Sequence, residues 1–150
     1  MKRFIIFSLL FALLSPLAAF AGGLEDFLSN VNVQARVDLP GFSARISNQF
    51  GVPLPQVQAI VQTVREPADA FMVFQLGQFS GRQPERVMDV YSRSKGKGWG
   101  AIAKELGIKP GSSEFHALKN GNLSFSGSPA GAADNSGKGK GKGRGKGHNK

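Results

Sequence analysis

Hydrophobic positions along this chain change period several times. From Phe4 to Leu14 they run unbroken except at Ser8, and Ser15-Pro16 ends the run. Leu24-Glu-Asp-Phe-Leu28 reads as a short helical turn. Val31, Val33, Ala35, Val37 and Leu39 then alternate with Asn32, Gln34, Arg36 and Asp38. That period of two suits a half-buried strand. No second convincing strand follows, so the stretch could instead lie extended over a helical body.

Beyond Pro40-Gly41 the period becomes helical. Phe42, Ile46 and Phe50 fall four residues apart, and Gly51 supplies a stop. Pro53 and Pro55 suit the start of a next helix, with Val57, Ile60, Val61 and Val64 as its apolar positions. Pro67 opens a helix from Ala68 to about Phe79 that is apolar nearly all round, and such a helix belongs at the centre. Ser80-Gly81 ends it. Pro84 starts another through about Ser94, with Val87, Val90 and Tyr91 inward. Trp99 to Leu106 predicts a short helix stopped by Gly107. Ser112 or Ser113 can cap a last one through Lys119, with Phe115 and Leu118 on its apolar face.

Val57, Ile60, Leu76 and Gly77 match Val87, Val90, Leu106 and Gly107 at an offset of 30 residues. If this is a repeat, each unit is a proline-opened helix, a loop, and a helix ending in Leu-Gly. Two tandem helical hairpins would follow. Chance identity explains so few matches equally well. From Gly121 onward little remains to bury. Ser, Gly, Ala and Asn give way to a Gly-Lys alternation, which predicts a disordered tail.

The first segment reads as an export signal. Lys2 and Arg3 precede an apolar run too short to span a bilayer, and Ala19-Phe-Ala21 has the small residues of a cleavage site. Removing 21 of the 150 residues leaves 129, enough for one domain. The expected organisation is a signal peptide (1–21), an extended N-terminal segment (22–41), a helical domain (42–120) and a disordered tail (121–150). The expected fold class is mostly α, a small bundle of short helices. Localisation is expected to be periplasmic or extracellular, with no transmembrane anchor after cleavage.

Charge sharpens this division. The chain carries +9. Setting aside Lys2, Arg3 and the tail cations Lys138, Lys140, Lys142, Arg144, Lys146 and Lys150 leaves +1 for everything between. The tail residues form a candidate polyanion-binding segment, suited to nucleic acid, lipopolysaccharide or acidic polysaccharide. Their binding would be sequence-nonspecific, because no aromatic lies among them to stack on bases. A solubilising tail is the plainer alternative.

Tyr91-Ser-Arg-Ser-Lys-Gly-Lys-Gly-Trp99 is a second basic stretch. Arg93, Lys95, Lys97 and Trp99 are candidates for a secondary anion or glycan contact; an interhelical loop with Trp99 packed inward is the competing reading. The spacing does not fit a P-loop. Ile102-Ala-Lys-Glu-Leu-Gly-Ile108 looks like the opening of a helix-turn-helix, but Lys109-Pro-Gly-Ser112 makes the turn too long, so helix packing is expected.

Catalytic and metal chemistry have little support. The chain has no cysteine and only His116 and His148, neither with a neighbour at ligand spacing. Glu85 and Asp89 share a helix face with arginines, which fits a surface better than an acid–base pair. No catalytic residue, metal site or cofactor is expected.

Pro67-Ala-Asp-Ala-Phe-Met72, Gly96-Lys-Gly-Trp-Gly-Ala-Ile-Ala-Lys-Glu-Leu-Gly-Ile-Lys-Pro-Gly-Ser112 and Glu114-Phe-His-Ala-Leu-Lys119 resemble a group of small exported bacterial proteins of uncharacterised function. The resemblance covers about Phe42 to Lys119. It implies export and a helical body, often followed by a Gly/Lys-rich tail, and it carries no activity, ligand or catalytic residue. The sequence therefore predicts an exported, non-enzymatic binding protein whose tail contacts anionic polymers or an anionic envelope surface. An envelope protein-interaction adaptor using the helical body and an envelope hydrolase are the alternatives.

Overall fold

The computed structural model describes residues 22–94 and 96–126. The expected signal peptide lies outside them, as does the tail beyond residue 126. Seven helices are present among the described residues: α1 (Gly23–Val37), α2 (Leu39–Phe50), α3 (Leu54–Thr63), α4 (Pro67–Ser80), α5 (Pro84–Arg93), α6 (Trp99–Glu105) and α7 (Ser113–Asn120). None of them is long and apolar enough to cross a membrane.

α4 is the centre. Every residue from Ala70 to Gly77 is buried, and the helix packs against α1, α2, α3 and α5. An all-round apolar helix can satisfy its surface only by being enclosed, which is the role the sequence pattern assigns it. Phe71 lies at the heart of an aromatic cluster, with ring centroids 5.3 Å from Phe27 and 5.7 Å from both Phe50 and Phe125. The bundle closes on itself, since α6 packs on α5 and α7, and α7 returns to α1.

The expected extended segment at 22–41 is instead α1 and the first turn of α2. Leu24, Leu28, Val31 and Ala35 form the buried stripe of α1. They follow helical spacing, which outweighs the period of two because it joins four core contacts. The alternation included Val33 and Val37, and these are 58% and 84% exposed on the other side of the helix. A helix with valines on two faces imitates a strand when read over nine residues. Asp38 then caps α2, its carboxylate accepting the Gly41 N–H at 2.9 Å. Pro40 sits within that first turn, where its missing N–H costs nothing.

The boundary at residue 120 also moves. Phe125 is buried beside Phe42 and Phe71. Gln49 fixes the strap in place, donating to the Ser124 carbonyl at 2.7 Å and accepting the Ser126 N–H at 2.9 Å. The body thus runs at least to Ser126. A lone phenylalanine has no periodicity of its own, so pattern reading passed over it.

α3–α4 and α5–α6 pack as neighbouring pairs, but the Leu-Gly repeat does not end both. Gly77 lies inside α4, which continues to Ser80 and stops at Gly81 in the left-handed conformation (φ 64°). Gly107 lies beyond the end of α6. Ala103, Leu106 and Ile108, from the stretch that looked like a helix-turn-helix, are buried in the core.

Candidate ligand groove

α1 crosses the start of α4 and faces the α5–α6 connection. Between them lies a groove of about 880 Å³. One wall is the outer side of α1, from Glu25 to Arg36. The floor is the turn 63–66 with the first residues of α4. The other wall is Tyr91, Ser94, Gly96, Gly98 and Trp99.

Local hydrogen bonding makes this wall stiff. The Tyr91 hydroxyl donates to Asp69 Oδ2 at 2.7 Å. The same carboxylate oxygen accepts the Glu66 N–H at 3.2 Å, so Asp69 caps α4 and anchors Tyr91 together. Tyr91 and Trp99 stack with centroids 5.3 Å apart and planes 18° from parallel. Gly96 and Gly98 both have positive φ (84° and 75°), which lets the loop turn back toward α6. On the opposite side, Asn32 Oδ1 accepts the Ala68 N–H at 2.8 Å. Arg36 closes one rim with an ion pair to Glu66 at 2.8 Å.

Burial, and then the hydrogen bond to Asp69, push the Tyr91 phenol up to about 12 from the usual 10. The folded state therefore holds this proton more tightly than the unfolded chain. Its contribution to stability is complete below pH 10 and is lost as pH rises through about 12. Tyr91 is the chain's single tyrosine, so near-ultraviolet absorbance during an alkaline titration reads it alone. A midpoint near 12 is expected, falling toward 10 in Asp69→Asn. A wild-type midpoint at the free-tyrosine value would contradict the Tyr91–Asp69 bond.

The basic candidates of the sequence separate here. Trp99 belongs to the groove. Arg93 does not line it, and pairs instead with Asp89 at 3.1 Å and Glu105 at 3.8 Å. Lys97 is exposed and not part of the lining, and Lys95 lies outside the described residues. The six tail cations also lie outside them. Pattern reading missed Asn32, Arg36, Arg65 and Asp69, because their meeting depends on α1 being a helix laid across α4.

The remaining chemistry is sparse. His116 is exposed on α7 and does not line the groove. Glu66 is held by Arg36 and Asp69 by Tyr91, so both carboxylates have structural partners. Glu85 accepts from Gln56 at 2.7 Å, and Asp89 accepts from Arg86 at 2.7 Å. No cluster of three or more potential metal ligands occurs among the described residues. No family model, curated protein or solved structure matches the chain.

Proposed function

We propose that the protein is exported and non-enzymatic, and that its cationic tail attaches it to anionic polymers or anionic surfaces. The segregation of charge carries this reading. Residues 137–150 hold six cations and no acid, while the stretch from Gly22 to Ser136 sums to +1. Ion pairing in the body supports it, because Arg36, Arg86 and Arg93 each meet a carboxylate. In the tail no acid stands among the cations to pair with them. Alternating glycine and basic residues suit polymers of irregular geometry, and attraction comes from release of their counterions.

Heparin chromatography of the exported protein tests this. Replacing the six tail cations by glutamine should move elution from well above physiological salt to near the void. Unchanged elution would sink the reading. An adaptor reading rests on a different observation: Val37 and Leu39, on either side of Asp38, are 84% and 43% exposed. Capture of an envelope protein lost in Val37→Ser, from a chain indifferent to heparin, would favour it.

A further inference from the structure

We infer that the groove between α1 and the Tyr91–Trp99 wall binds a short neutral oligosaccharide. This inference does not rest on the tail. At about 880 Å³ the space lies within the range of small-ligand clefts, roughly 300–1,000 Å³, and suits a short oligomer better than a single ion.

The lining has the two kinds of surface that a sugar presents. A pyranose ring is apolar on its C–H faces and polar around its rim. Trp99 offers a flat indole, held in place by stacking on Tyr91. Val33, 58% exposed, adds apolar surface on the facing helix. Around them stand planar polar groups that can engage neighbouring hydroxyls. The Asn32 oxygen is occupied by the Ala68 N–H, which leaves its amide NH₂ to donate. The Arg65 guanidinium and Glu25 carboxylate, both in the lining, have no ion-pair partner among the described residues.

Charge decides between ligand classes. Among the described residues, Glu25, Glu66 and Asp69 line the groove against Arg36 and Arg65. That balance gives an anion no attraction. The start of α4, where an anion would otherwise be welcome, is already taken by the Asp69 carboxylate. Nor does the lining suit a peptide strand, since it offers side chains from several helices and no sheet edge.

Trp99 is the chain's single tryptophan, so its fluorescence reports this groove directly. The exported protein, tail included, is titrated with cellotetraose, maltotetraose and tetra-N-acetylchitotetraose, and with a heparin tetrasaccharide and a proline-rich peptide for comparison. A saturable change in emission is expected with at least one neutral tetrasaccharide, at a Kd of roughly 0.1–1 mM, unaffected by added salt. Val33→Arg should weaken it about tenfold or more by placing a charged chain in the groove. Ser29→Arg, one turn earlier on the same exposed wall, should do the same and guards against a folding defect in the first variant. The inference is overturned if no neutral tetrasaccharide changes Trp99 emission up to about 10 mM. It is equally overturned if both folded variants bind normally, or if only the heparin fragment or the peptide responds.

Discussion

Phe71→Ala is expected to remove about 4 kcal/mol of stability from the helical body. The side chain is fully buried and packs against Phe27, Phe50 and Phe125, from α1, α2 and the strap after α7. Three separate segments therefore lose their common contact, and helices cannot close fully over the space left behind. A domain of this size has roughly 5–15 kcal/mol in total, so the loss is a large share of it. Urea unfolding should show a midpoint much lower at similar m-value. The groove should suffer too, since Phe27 ties α1 to α4 through this ring. A loss below about 1 kcal/mol would mean that Phe71 is not the centre of the bundle.

Gly121→Ala should cost about 2–4 kcal/mol, more than the same change at Gly51. Both glycines end helices in the left-handed conformation, with φ 67° and 65°. The backbone strain of an alanine is therefore similar at the two, about 1–2 kcal/mol. The surroundings differ. A Cβ on Gly51 meets open space, whereas one on Gly121 collides with the carbonyl group of Gly23. Gly23 is restricted in turn, because its own Cβ would run into the Asn120 carbonyl. The start of α1 and the end of α7 thus meet backbone against backbone, and neither partner can yield by rotating a side chain. Thermal or urea unfolding of the two alanine variants separates strain from collision. Equal losses would mean that the α1–α7 contact is looser than described.

What the sequence disclosed follows from how local each signal was. α4 was legible because an all-round apolar helix has one place to go. The α2 stripe of Phe42, Ile46 and Phe50 and its stop at Gly51 are equally plain, and of the two serines that could cap α7 it is Ser112 that does so. α1 imitates a strand because Val33 and Val37 add a second apolar face and turn a spacing of four into an apparent spacing of two. Phe125 leaves no local signal because it is an isolated anchor among small residues, its neighbours Ser124 and Ser126 held by Gln49 from 75 or more positions away.

The groove was half legible. Its aromatic wall was marked by Tyr91, Trp99 and the glycines between them. Its charged wall was not, because Asn32 and Arg36 reach the site only once α1 is helical. Arg93 shows the converse: its i, i+4 spacing from Asp89 is legible in the sequence, and folding adds Glu105. Charge along a sequence overstates charge available to a ligand wherever the fold brings acids near. Residues 137–150 contain no acid of their own to make that correction.

The salt dependence of binding to duplex DNA tests the division between body and tail most directly. With six tail cations engaged, the protein without residues 1–21 should show a slope of log K against log salt of about −5. Deleting residues 137–150 should reduce that slope to near zero and abolish measurable binding at physiological salt. Equal slopes and affinities with and without those residues would contradict the account.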